Sequence, residues 1–194
     1  ADMLIDLVGQ PALESEVRKW SNDPSLDVPF LTTRQALLLH YVNFPKLANE
    51  YLARAPSKRP AFLNSAVDPL ALSEAQSSSE PRDVDSIEWF GSPEDVCRAF
   101  AGLQVVSRQP KLSPIASIFS VNNGGLGLNP SQWPTVWFKG GSEPGVMTVG
   151  YMATNSRGQT YLVSAMLSNP TAALAPSATF ALLEAVVGAF RLMG

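Results

Sequence analysis

The sequence is poor in the residues that most often carry chemistry. Its 194 residues include one cysteine, Cys97, and one histidine, His40. A lone cysteine excludes an internal disulfide, and the two residues together are too few for a zinc site of the Cys/His type. No carboxylates cluster at EF-hand spacing. A carboxylate-ligated metal stays open on composition alone, but no ligand set stands out, and no metal or cofactor is expected. Charge is also scarce, at 16% of residues, against roughly 25% in an average soluble protein. This argues against a disordered chain and against a charge-laced coiled coil. The 14 Lys+Arg against 17 Asp+Glu leave a net charge of −3. That slightly acidic balance gives no electrostatic footprint for nucleic acid. No run approaches 18 uninterrupted apolar residues, so no transmembrane segment is expected. No signal peptide is visible.

What is present is a globular composition. Hydrophobic residues make up 45% of the chain, enough for a sizeable core, and the length suits one domain. The first residues read as a helix already under way, from Asp2 to Val8, with Met3, Leu4, Leu7 and Val8 on one face and Gly9 as its C′ residue. Without a Ser, Thr or Asn cap, this start looks cut from something longer. A second helix follows Pro11 and runs through Leu13 and Val17 to Trp20. Ser21 to Phe30, with Pro24 and Pro29, reads as a loop. Thr32 and Thr33 cap a helix carrying Ala36, Leu37, Leu38 and Tyr41, and Pro45 interrupts it or begins another that ends near Leu52. Residues 56–86 hold four prolines and seven serines and read as one long loop, anchored in part by Phe62, Leu63, Leu70 and Leu72. Loops of that length are usually functional or mobile.

Ser92-Pro93-Glu94-Asp95 is the clearest helix start. Ser92 suits the N-cap, Pro93 the first turn and Asp95 a capping box. That helix turns Val96, Ala99, Phe100 and Leu103 inward and carries Cys97 as a small core residue. The last 60 residues change character. Val136-Trp137-Phe138 reads as a short strand. Val146 to Ala153 and Tyr161 to Ser168 read as longer ones, joined by residues 154–159 as an antiparallel hairpin. A closing helix from about Ser177 to Met193 presents Phe180, Leu183, Val186, Val187, Phe190 and Leu192 as a wide apolar stripe for the sheet. Helices, a long loop, a helix, three antiparallel strands and a helix make an α+β arrangement.

Few places could hold an active site. No G-x-S-x-G elbow exists, since Gly140-Gly141-Ser142-Glu143-Pro144 fails at its last position. His40 sits beside Leu39 and Tyr41 in a helical pattern and reads as a structural or surface histidine. Asn122 to Pro130 contains G-x-G without the strand–helix context of a dinucleotide loop, and reads as a tight connection into the strand at Val136. The informative run is Trp137 to Val146. In it Lys139 ends an apolar strand and two glycines follow. Either the ammonium faces a cleft whose edge the glycines leave open to a substrate, or a snorkelling lysine precedes a glycine turn.

Lys139-Gly140-Gly141, on a strand entering an antiparallel hairpin and followed by a C-terminal helix, resembles the K-T-G or K-S-G element of serine β-lactamases and penicillin-binding proteins. Trp137 to Pro170 is most similar to actinobacterial proteins related to class A β-lactamases, often secreted or lipoproteins. The helix at Ser92 resembles the T-P-x-x-M-A helix after their omega loop. Ala1 to Gly9 resembles the helix that follows their S-D-N element. The resemblance implies that residues 1–194 are the C-terminal portion of one β-lactamase-like domain, an incomplete transpeptidase-like fold, with residues 56–86 as a long loop inside it. It implies a secreted or cell-envelope protein. The implied reaction is acyl transfer through a serine ester, with an ester, a β-lactam or a peptidoglycan-like molecule as ligand. Lys139 would supply positive charge beside the nucleophile, and the backbone N–H of Ser142 half of an oxyanion hole. Gly140, Gly141 and Glu143 would line the substrate.

The departures from that family are specific. The residues three before the five lysines are Glu16, Asn43, Ala55, Arg108 and Val136, so S-x-x-K is absent. S-D-N is absent too, since Ser120-Val121-Asn122 has its outline but comes too late. Both elements would have to come from an N-terminal portion of the same protein, which is the expected partner. Gly140 replaces the hydroxyl residue of K-T-G, and Ser142 is the expected substitute. Glu74, Glu80 and Glu88 are the candidates for a deacylating carboxylate. The alternative function is a catalytically degenerate relative that binds a ligand without turnover, and a third reading is a half-domain inert until it meets its N-terminal partner.

Overall fold

Two units make up the structure, a computed structural model that describes residues 1–194. One comprises Ala1–Gly91 with Pro170–Ala172, the other Ser92–Asn169 with Ala173–Gly194.

The first unit is helical. Helices α1 (Asp2–Val8) and α2 (Gln10–Trp20) meet at Gly9, whose φ of 84° ends the first as its sequence suggests. The expected apolar face of α1 is left in the open, with Met3 86% and Leu7 80% exposed. What ties α1 down is Asp2. Its carboxylate accepts the N–H groups of Thr33 at 2.7 Å and Arg34 at 2.9 Å, at the start of α3 (Thr33–Tyr41). Thr32 and Gln35 form a reciprocal capping box there, as the spacing implies. Leu38, Leu39, Val42, Ala48, Tyr51 and Ile87 build the core that α3 and α4 (Lys46–Leu52) share.

Residues 56–86 are not one loop. Pro56–Lys58 forms a 3-10 turn, α5 spans Arg59–Phe62, and Leu63–Val67 continues as a π-turn. Phe62, Leu63 and Val67 are buried. Their spacing, with Ala66, is that of a helix face, which the Pro and Ser content of the stretch masks, and Pro60 sits in the first turn where proline is tolerated. The irregular part lies beyond Leu70. Its return is fastened to α3: the Gln76 N–H donates to the Tyr41 carbonyl at 2.7 Å, and Arg82 Nη1 to the His40 carbonyl at 2.9 Å. His40 itself is buried, with Nε2 2.8 Å from the Ile87 carbonyl.

The second unit is a three-stranded antiparallel meander, β1 (Thr135–Glu143), β2 (Val146–Thr154) and β3 (Thr160–Ser168), in the order β1-β2-β3. The α+β class read from the sequence holds. Helices α6 (Pro93–Ser107) and α7 (Pro114–Phe119) cover one sheet face, where Phe100, Trp137 and Met152 form a core. The capping box of Ser92 and Asp95 is in place. Helix α8 (Pro176–Met193) covers the other face and buries Val186 and Phe190 against Val149, Tyr151 and Ala153. Two members of its expected stripe are turned away instead: Phe180 is 69% and Leu192 91% exposed. The stripe is narrower than the apolar content of the helix. By length and composition α8 is long and apolar enough to cross a membrane, but its buried side chains are those of a helix packed on a sheet.

Candidate functional site

Strand β1 differs from its sequence reading in length. Val136-Trp137-Phe138 is only its first half, and the strand continues through Gly140 and Gly141 to Glu143. Glycine has little intrinsic strand preference, but Gly140 pairs with Val149 and Gly141 with Thr148. The ladder carries them. Lys139 is therefore a mid-strand residue paired with Gly150, not a strand end. Pro144-Gly145 then makes the turn into β2, with Gly145 at φ 85°.

The register settles which groups face where. In a two-residue hairpin the flanking pair, Glu143 and Val146, exchanges the ladder hydrogen bonds. Alternation then directs the N–H groups of Phe138, Gly140 and Ser142 away from β2. The β2–β3 side agrees, since the N–H of Asn169 donates to the carbonyl of Gly145 at 2.7 Å, on the opposite flank of β2. Because β1 ends the sheet order, those outward groups lie on an open edge. Side chains alternate in the same way. Trp137, Lys139, Gly141 and Glu143 belong to the α6 face, and Phe138, Gly140 and Ser142 to the α8 face. The Lys139 side chain is exposed, and its ammonium curls to the outward carbonyl of Gly140. One edge thus presents an ammonium and the N–H groups of Gly140 and Ser142 side by side. Such an edge can hold a carboxylate, an extended chain, or a carbonyl oxygen gaining negative charge.

Each expected site residue has a definite place. Ser142 is exposed and Glu143 half-buried. The Ser142 hydroxyl lies on the face opposite Lys139, the same α8 face that a hydroxyl residue at position 140 would use, two residues further along the strand. On the lysine's own face Thr148 brings a hydroxyl beside Gly141, its Oγ1 3.4 Å from where a Cβ at Gly141 would be. Sequence reasoning missed Thr148, because only the cross-strand register reveals it. Gly140 has a packing reason to be glycine: a Cβ there would meet the Phe138 ring at 2.7 Å. The same ring fills the space beside Gly124 and packs on Tyr151 with centroids 4.9 Å apart. The Asn122–Pro130 stretch is thereby a tight connection into β1, with Asn122 Oδ1 accepting the Gly124 N–H at 3.0 Å.

Gly150 is the residue that lets α6 approach the lysine's row of the sheet. A Cβ there would lie 2.7 Å from both Phe100 Cε2 and Val96 Cγ1. Further along that row, burial pushes the Cys97 thiol up, while the backbone of Ser164 acts the other way. This is the profile of an inert packed thiol rather than a nucleophile.

In the first unit, Glu74 and Glu80 are exposed, and the half-buried Glu88 accepts the Trp89 N–H at 3.3 Å. The carboxyl held above its ordinary value is a different one, Asp83. Burial pushes it up, His40 acts the other way and Asp85 adds to the rise. Asp83 Oδ2 is buried without a hydrogen-bond partner, and the residue holds a φ of 51°. No spacing rule picks out Asp83, since its burial follows from the return of the loop onto α3. No protein-family model matches the chain, and no curated protein matches it.

Proposed function

We propose that the chain is the C-terminal part of a serine hydrolase of the β-lactamase/penicillin-binding class, acting by acyl transfer on an ester or β-lactam. The observation that carries this reading is the open edge of β1, where the Lys139 ammonium stands beside the outward N–H groups of Gly140 and Ser142. An oxyanion donor needs such an unpaired, fixed N–H, and one donor is typically worth about 3–4 kcal/mol in the transition state. The chain has no S-x-x-K, so the reading requires the nucleophile to come from residues upstream of Ala1. It also puts the intact protein in the cell envelope or outside the cell. Loss of the K-T-G hydroxyl at Gly140 removes one hydrogen bond to a substrate carboxylate, about 1.5–3 kcal/mol. Acylation by β-lactams is then slow, and esters are the better substrates.

The test is intact-mass analysis of the full-length protein after incubation with a penicillin and with an activated ester. The expected result is a covalent adduct of one acyl group. An unmodified mass with both probes, together with no ester hydrolysis, refutes it. Gly140 favours one alternative, a degenerate relative that holds a peptidoglycan-like ligand on the β1 edge without turnover. Saturable binding of a penicillin with no adduct would select that alternative.

A further inference from the structure

The segment between Glu50 and Asp68 contains Arg54, Lys58 and Arg59 and no acidic residue. This is unusual in a chain of net charge −3. The two arginines are held in a crossed arrangement. Arg54, following α4, places its guanidinium 3.8 Å from the ring centroid of Phe62 in α5. Arg59, opening α5, places its own 4.8 Å from the ring centroid of Tyr51 in α4. The two rings are themselves neighbours, with centroids 6.5 Å apart. Arg54 is further fixed by a hydrogen bond from Nη1 to the Glu50 carbonyl.

No carboxylate neutralises this group. The ion pairs of the first unit use Arg18 with Glu14 and Lys19 with Glu16. Asp68 is engaged by Gln35 at 3.0 Å. Tyr51 supplies no negative charge, because burial pushes its phenol up even though Arg59 pulls the other way. Arg59 Nε is buried and lacks a hydrogen-bond partner. Lys58 is exposed between the two arginines in sequence. Guanidiniums held over aromatic rings are already ordered, and their fork of N–H donors suits the oxygens of a phosphate.

We propose that Arg54, Lys58 and Arg59 form a binding site for a phosphate-type oxyanion, seated beside the Tyr51–Phe62 ring pair. The site lies wholly in the first unit and does not depend on any acyl-transfer activity. Three cations and two planar donor groups fit free phosphate or a phosphate monoester, with three terminal oxygens and nearly two charges, better than a single carboxylate, which has two acceptor oxygens and one charge. The phosphate can be free in solution or part of a lipid headgroup.

The test follows the arginine Nε–H resonances of the whole chain as inorganic phosphate replaces chloride at constant ionic strength. A second arm measures co-sedimentation with vesicles of phosphatidic acid, whose headgroup is a phosphate monoester, in phosphatidylcholine, against phosphatidylcholine alone. The expected result is a saturable shift at Arg54 and Arg59. Lys58→Gln, an exposed change that leaves the fold alone, and Arg59→Lys, which keeps the charge but loses the fork, should each weaken binding; Arg59→Lys should do so by at least about tenfold. Shifts with phosphate but no sedimentation assign a free phosphate. Sedimentation that phosphate competes away assigns a headgroup. Absence of a saturable shift and of sedimentation overturns the proposal and leaves the crossed pair as a packing device. An equal weakening by Lys111→Gln, a lysine in the other unit, overturns it as well, because the effect would then be diffuse charge screening.

Discussion

Gly150→Ala tests how closely α6 is laid on the sheet beside Lys139. The substitution adds one methyl at a strand position without positive φ, so the backbone tolerates alanine. The obstacle is space. The new Cβ would sit 2.7 Å from Phe100 Cε2 and from Val96 Cγ1, where ordinary contact begins near 3.4 Å. Phe100 is only 4% exposed and packs edge-on against Phe119, so its ring cannot swing clear. Overpacking of this kind costs about 1–3 kcal/mol. Replacing glycine restores about 0.4–1 kcal/mol by restricting the unfolded chain. The middle of the two ranges gives a net loss of about 1.3 kcal/mol, or roughly 3–5 °C in Tm for a chain of this length. Gly141→Ala is the matched control. It lies on the same face of β1, and its Cβ would meet only Thr148 Oγ1, at 3.4 Å, so Tm should stay level or rise slightly. Thermal unfolding followed by circular dichroism measures both. Equal Tm for Gly150→Ala and wild type would show that α6 slides freely over β2 and would refute the close approach.

Lys139→Met keeps the stem and removes the charge; with the side chain exposed, Tm should hold. Acylation of the full-length protein by an ester probe should fall at least about tenfold, since acid–base contributions are commonly 10²–10⁴, and equal rates would make Lys139 a surface lysine only. Asp2 leads to a pH prediction. Burial works to raise its carboxyl, but the N–H groups of Arg34 and Thr33 outweigh it and hold it below the usual value of 3.8. A depressed carboxyl contributes stability above its unfolded value and loses it as pH falls through the lower folded one. Asp2→Ala should therefore lower Tm at neutral pH by an amount reflecting at most about 1 kcal/mol, screened by solvent, and by less at pH below that range, as paired scans would show. Limited proteolysis should cut first near Ser77–Ser79, where Ser77 and Ser79 are exposed. Mass mapping of a first cut elsewhere, with this stretch intact, would contradict that.

Wherever the signal is local, the sequence alone determined the element. The capping boxes at Thr32 and Ser92, the stop at Gly9, the β2–β3 hairpin and the α+β order all follow from capping, turn chemistry and periodicity within a few residues. Lys139 to Glu143 could be singled out for the same reason, as a short run of unusual residues. Tertiary structure decided everything that depends on a distant partner. The β2 ladder draws Gly140 and Gly141 into a strand they would not form alone, and only its register brings Thr148 to the lysine's side. Burial of Phe62, Leu63 and Val67 turns a Pro- and Ser-rich stretch helical, while Phe180 and Leu192 on α8 find no surface to cover them within their unit. Periodicity records which residues could share a face. Whether another element arrives to bury that face, or the Asp83 carboxyl, is set by contacts far apart in the chain, which short-range patterns do not contain.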